Sequence, residues 1–228
     1  MTKPLLAYAV TENDDNTGAI YFARHPIVAA KAGANDWAGG ELSHVSCRRA
    51  PWADWCADSG IVHASLMIDH GWHFECHGCG GTIDEDFLVE NGLTTDDVIG
   101  TQHGRIFCCP RCKAEHEIVE AEKKHVGAEF LDQMRAIVRR RFGDVVFSDG
   151  EYTKPHVYVI DQGGAYSVGQ AVISFEFPGM KIGPASLRYD WPYSFAWDGI
   201  GPIKPRYSIC NGDLEAWNAF VEATRNAG

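Results

Sequence analysis

The sequence predicts an α+β fold, and three observations carry the prediction. A strand, turn, strand, helix pattern opens the chain. The longest run of helical periodicity, about Pro110 to Phe142, stands in the middle, and valine-, tyrosine- and phenylalanine-rich segments divided by Gly and Asp turns follow it before a closing amphipathic helix. Sheet and helix are thus segregated along the chain rather than alternating as β-α-β units. The organisation expected is an N-terminal α/β portion over 1–75, a cysteine-bearing portion with the long helix over 76–142, and a β-rich portion with a terminal helix over 143–228. With 228 residues these three can also form one compact unit.

The elements follow in order. "LLAYAV" and "AIYFAR" read as strands around the polar turn "TENDDNTG". "HPIVAAKAGA" reads as a helix that His25-Pro26 starts and Gly33 ends, because proline is tolerated in the first turn and glycine favours the end. "HVSC" reads as a short strand, "RRAPWADWCADSG" as a packed loop or short helix, "IVHASLMIDHG" as helical and "WHFEC" as a strand. On the long helix, Val126, Phe130, Met134, Ile137 or Val138, and Phe142 form one buried stripe, with Gly127 a point where it could kink or divide. "DVVFSD", "HVYVID" and "SVGQAVISFEF" read as strands, and "FPGMKIGPASLRYDWPY" as a turn-rich connection. The last helix, led by "NGD", is expected to bury Leu214, Trp217, Phe220 and Val221.

Composition narrows the function classes. Apolar residues make up 45% and charged residues 22%, which suits a packed globular chain and excludes disorder or a coiled coil. The apolar run near the N-terminus leads directly into "TENDDN" without a cleavage site, and no run is long enough to cross a bilayer, so a cytoplasmic protein with no membrane partner is expected. In that reducing compartment, eight cysteines are metal ligands or buried thiols before they are a disulfide framework. The net charge of −11 opposes bulk affinity for nucleic acid and points to a protein partner.

The strongest signal is a pair of Cys-x2-Cys motifs. Cys76 and Cys79 lie in "FECHGCGG", and Cys109 and Cys112 in "IFCCPRC". Two such pairs supply the four thiolates of a tetrahedral zinc site, each pair spanning one edge of the metal at about 2.3 Å per sulfur. The glycines of "HGCGG" allow a tight turn, and Pro110 starts a helix whose amides stabilise thiolates at its N-terminus. The two-residue spacing to Cys112 selects Cys109 and leaves Cys108 as a packing residue on the preceding strand. His116, one turn further on, reads as a surface histidine, although it could replace a ligand. A thioredoxin-like redox reading and an iron–sulfur cluster both rank behind zinc. Cys47 and Cys56, near His63, His70 and His73, have no zinc-like spacing and read as core and surface residues; Cys210 reads as a small apolar residue.

The stretch from Phe74 to His116, with its knuckle, hairpin and ligands at a helix start, resembles the treble-clef class of zinc finger and, more loosely, a zinc ribbon. The resemblance implies one structural zinc per chain, closed by four protein ligands. The HNH endonucleases of that class also carry a histidine general base on the first hairpin strand. Here residues 81–107 offer His103 and Asn91 but no Asp-His pair in the first-strand region, so the resemblance stops at the scaffold, and no catalytic residues are assigned.

No Gly-x4-Gly-Lys-Ser/Thr loop or Gly-x-Ser-x-Gly elbow is present, and "DQGGAYSVGQ" reads as a turn between strands. Asp84, Glu85, Asp86, Glu90, Asp96 and Asp97 read as a solvated hairpin loop, with an acidic contact surface as the functional alternative. Arg139 to Arg141 complement the dipole at the end of the long helix; with Lys123 and Lys124 they could instead form a basic stripe, which Glu115, Glu117, Glu120, Glu122 and Glu129 would oppose. The tryptophans of "APWADW" and "YDWPYSFAW", where exposed, are candidate interface anchors.

Three segments, "CRRAPWAD", "GWHFEC" and "FPGMKIGPASLR", resemble uncharacterised accessory proteins of tailed phages and prophages. That resemblance implies a small protein in the host cytoplasm, directed at a host complex and including the anti-defence type of inhibitor. The expected function is therefore a non-enzymatic zinc protein that binds a protein or ribonucleoprotein complex. The alternatives are a zinc-ribbon nucleic-acid binder and, less favoured, an HNH-like nuclease.

Overall fold

The computed structural model describes residues 3–14, 17–143, 145–190 and 206–226. The chain divides into two compact units, 1–117 and 118–228.

The first unit opens with β1 (Leu6–Glu12) and β2 (Gly18–Ala23), followed by α1 (Pro26–Trp37) and β3 (Val45–Arg49). They form an antiparallel sheet in the order β2-β1-β3. Alternation along β1 sends Tyr8 and Val10 to one face, with Ala23 and Ala29, and Ala7 to the other, with Ile20, Ala53 and Met67. Helix α1 runs past Gly33, the residue expected to end it. Val10 Cγ1 stands where a Cβ at position 33 would be, so this glycine serves close packing of helix on strand. Arg49 and Asp54 make a two-pronged ion pair, and Asp54 also accepts the Ala7 amide at 2.8 Å, tying the "PWADWC" turn to β1.

Helix α2 (Ala64–Ile68), the two-residue strands β4 (Phe74–Glu75) and β5 (Thr82–Ile83), and α3 (Glu85–Glu90) surround a second small core. The acidic run is therefore not a hairpin loop. Asp84 caps α3 by accepting the Phe87 amide at 2.8 Å, and Thr94 with Asp97 forms a capping box, so two of the acids are explained by local backbone satisfaction.

Helix α4 (Pro110–Phe142) begins in the first unit and continues in the second as one uninterrupted helix. Gly127 does not divide it; a Cβ there would meet Val157 Cγ1 at 2.9 Å, so glycine permits the helix to approach β7 (His156–Asp161). Met134, Val138 and Phe142 are buried, whereas Ile137 is 40% exposed, which settles the stripe on Val138. With β6 (Phe147–Ser148), β8 (Tyr166–Phe175), β9 (Ala185–Asp190) and β10 (Arg206–Ser208), β7 completes an antiparallel sheet. β6 and β7 both pair with β8, which pairs in turn with β9, and β9 with β10. "ASLRYD", read from sequence as part of a turn-rich connection, is thus strand β9: alternate residues Ala185 and Leu187 are fully buried, and the prolines and glycines before them are confined to the turn.

Helix α5 (Leu214–Asn226) lays Trp217, Phe220 and Val221 against this core, whereas Leu214 is 52% exposed and faces away. The buried Asp213 carboxylate accepts the amides of Lys181, Ile182 and Gly183 at 2.7–3.1 Å and pins the turn before β9 to the start of α5. The tryptophans of "YDWPYSFAW" lie outside the described residues.

Candidate metal centre

The first half of the centre is a knuckle at the end of the β4–β5 hairpin. Cys76 donates its amide to the Gly81 carbonyl at 2.8 Å and accepts the Gly80 amide at its own carbonyl at 2.8 Å, and Gly80 has φ of +72°. Each glycine of "HGCGG" has a separate steric reason. A Cβ at Gly78 would meet the Cys112 carbonyl oxygen at 2.7 Å, and one at Gly81 would meet the Phe87 ring at 2.9 Å. Only a residue without Cβ lets the knuckle close onto the start of α4.

The second half is held by backbone pairing. Ile99 and Phe107 exchange amide–carbonyl bonds at 2.8 and 3.0 Å, and the His77 amide reaches the Ile106 carbonyl at 2.9 Å. The Cys108 amide donates to the Cys76 sulfur at 3.3 Å. Upstream, Gln102 accepts the Ile20 amide at 2.8 Å and donates to the Ile20 carbonyl at 3.0 Å, so a side chain takes the role of a neighbouring strand along β2. Nothing in the sequence pattern singles out His77 or Gln102, because their importance lies in partners far away in the chain.

Four sulfurs, those of Cys76, Cys79, Cys108 and Cys112, lie within 4.8 Å of one another. Cys108 is 3.4 Å from Cys112 and 3.9 Å from Cys79, close to the roughly 3.8 Å that neighbouring thiolates keep around a tetrahedral zinc with 2.3 Å bonds. The donor set could therefore hold a metal ion. Cys76, Cys79 and Cys112 are three of the sulfurs expected from spacing. The structure does not set Cys108 apart as a packing residue: it is buried among the other sulfurs, and Cys109 stands beside it at 3.8 Å. The vicinal pair Cys108-Cys109 was the signal that a fifth thiol belonged to the centre; a strict two-residue spacing hides it.

The backbone treats these sulfurs differently. Burial pushes the Cys76 thiol up, but the amides of Cys79, Cys108 and Gly78 outweigh burial and bring it down to about 7. The Cys112 amide, opposed by burial and helped by the Arg111 amide, holds Cys109 below the ordinary thiol value, as a helix N-terminus does. Burial pushes Cys112 up to about 12, and burial with hydrogen bonding among the sulfurs pushes Cys108 well above the thiol range. Several thiolates this close repel one another; a bound cation would remove the repulsion and release the remaining protons.

His116 is engaged elsewhere. Its Nε2 is 2.6 Å from Arg105 Nη1, and its ring packs on Phe107 with centroids 5.3 Å apart. His103 bonds to Gln102 at 3.0 Å, and Asn91 donates to the Phe87 carbonyl, capping α3. Cys56 is buried in the core of the first sheet, Cys47 lies 3.5 Å from the Pro26 carbonyl, and His70 stacks on Trp52 at 4.3 Å. Among the described residues, no other cluster of at least three His, Cys, Asp or Glu side chains could hold a metal ion.

The arginine cluster has packing partners as well. Arg139 lies 5.0 Å over Phe147, and Arg141 lies over Phe142 and Tyr207 at 5.2 and 4.8 Å. Lys123 pairs with Glu120 at 3.4 Å and sits over Tyr166. Trp55, by contrast, is 70% exposed. None of the described helices is long and apolar enough to cross a membrane. Compared with known proteins, the chain matches no family model, no curated protein and no solved structure.

Proposed function

We propose that this chain is a non-enzymatic zinc protein that acts by binding a protein or ribonucleoprotein complex in the cytoplasm. The observation that carries the reading is the closed cluster of cysteine sulfurs. Four thiolates complete a tetrahedral shell and leave no position for a metal-bound water, so the zinc would brace the fold rather than supply a hydroxide. Soft sulfur donors favour zinc over magnesium or calcium, which take oxygen ligands. Zinc is held by Cys76, Cys79 and Cys112, with the fourth position shared between Cys108 and the expected ligand Cys109: one sulfur lies within the quartet, and the Cys112 amide lowers the other's pKa from its ordinary thiol value.

The acidic balance and the exposed Trp55 support a protein-binding role, and the packing of Arg139 and Arg141 on aromatic rings weakens the case for a nucleic-acid stripe. A host complex, and an anti-defence role, rest on the resemblance of three segments to accessory proteins of tailed phages. The metal reading is tested by metal analysis. The purified chain should carry about one zinc, Cys108→Ser and Cys109→Ser should each retain it, and the double variant should lose it. Loss in either single variant would end the shared-ligand assignment. The interaction reading is tested by purifying a tagged chain from host cells. A defined complex in fixed stoichiometry, lost with Trp55→Ala, is the expected outcome. Plasmid cleavage with magnesium or manganese, or a salt-dependent mobility shift weakened by Arg139→Glu, would replace this reading by a nuclease or a nucleic-acid binder.

A further inference from the structure

A tetrahedral metal takes four sulfurs; here four are clustered and a fifth, that of Cys109, stands 3.8 Å from Cys108, one thiol more than the metal needs. Cys108 occupies the middle of the group, 3.4 Å from Cys112, 3.8 Å from Cys109 and 3.9 Å from Cys79. Cys79 is exposed and Cys109 half-buried, whereas Cys76, Cys108 and Cys112 are buried. An oxidant therefore meets Cys79 or Cys109 first, and the buried Cys108 sulfur lies within 3.9 Å of the one and 3.8 Å of the other.

We propose that the centre is an oxidation-sensitive metal site in which Cys108 is the resolving thiol, forming a disulfide with Cys79 or Cys109 and thereby expelling the metal. This rests on the zinc reading above. In the first step, the thiolate sulfur of Cys79 or Cys109 attacks hydrogen peroxide; the O–O bond breaks, the sulfur becomes a sulfenic acid, and the departing hydroxide takes a proton to leave as water. In the second, the Cys108 sulfur attacks the sulfenic sulfur, the S–O bond breaks, and the Cys108 proton leaves with that hydroxide as a second water. Two sulfurs have lost two electrons and one peroxide has become two waters. Whichever pair forms, at most three thiolates remain for the metal, which opens a tetrahedral shell. A centre with only four cysteines lacks the reserve thiol.

The test treats the purified, zinc-loaded chain with hydrogen peroxide, follows zinc release with a chromogenic chelator and maps disulfides by mass spectrometry. Release should accompany a disulfide that includes Cys108, and dithiothreitol should restore zinc uptake. Cys108→Ser, which keeps four cysteines, should release zinc at least tenfold more slowly. Release at the parental rate from Cys108→Ser, or a mapped disulfide joining Cys76 to Cys79 or Cys109 to Cys112, would overturn the proposal. Should Cys108→Ser fail to retain zinc, mapping on the parental chain decides alone. A chain that carries no zinc but still forms the Cys108 disulfide would refute the zinc reading and leave Cys108 as the resolving thiol.

Discussion

The cysteine region and the core around Phe142 solve the same problem with opposite means. In the second unit, Phe142 lies within 5.2–5.7 Å of Phe175, Tyr207, Trp217 and Phe220, and these rings with Val138, Ile173 and Leu187 exclude water from a continuous apolar interior. Around Cys76 the strands are two residues long, and three of the ten buried residues of the local core are cysteines. A tetrahedral metal is a further source of stability that this donor set can accept. Stability bought by area tolerates loss of any one contact; stability from a metal is nearly all or none.

The largest effect is expected where the thiolate cluster is deprived of a metal. Chelation, or Cys112→Ser, should reduce zinc from about one per chain to near zero and abolish amide-exchange protection over residues 74–112, while protection in 118–228 persists; structural zinc sites contribute about 10–16 kcal/mol. Equal loss in both units would mean that the two are not separately stabilised. Next in size is Phe175→Ala. The side chain is fully buried, so about 3–5 kcal/mol of the second unit's stability should go, read by denaturant unfolding, with zinc content unchanged.

Gly78→Ala acts on the metal side alone. Its methyl would meet the Cys112 carbonyl oxygen and Cβ at 2.7 and 2.8 Å, and the displacement should cost about 1–3 kcal/mol, seen as weaker zinc retention against a competing chelator. The smallest effect is electrostatic. Burial opposes the Asp213 charge, but the amides of Ile182, Lys181 and Gly183 outweigh it and hold the carboxyl below its ordinary 3.8. A depressed carboxyl contributes stability above pH 3.8 that is lost as pH falls through the folded value. Asp213→Asn should therefore lower the melting temperature by a few degrees at pH 7, and the gap from the parental chain should close in acid; a gap constant with pH would assign the effect to shape rather than charge.

The α+β class, the long helix from Pro110 to Phe142, its buried stripe and the terminal helix were legible in the sequence, because side chains at helical spacing meet the same neighbour repeatedly. Strand β9 was not. Its prolines and glycines precede it, and its alternation becomes meaningful only beside β8. Gly33 and Gly127 were read as an end and a kink from local preference, yet both are explained by contacts distant in sequence, Val10 and Val157. In the metal centre, spacing singled out Cys76, Cys79 and Cys112, whose sulfurs lie in the cluster, since two-residue spacing is itself a local geometric constraint, and it passed over Cys108, whose sulfur lies there too.

The sequence by itself determined which chemical groups could meet: two cysteine pairs, glycines that permit a tight knuckle, and a helix start to polarise a thiolate. Tertiary structure decided which sulfurs do meet. Cys108 and Cys109 are adjacent in the chain yet differ in burial, and the placement of Cys108 is set by the pairing of Ile99 with Phe107 and by the Cys108 amide on Cys76, contacts that no local pattern encodes.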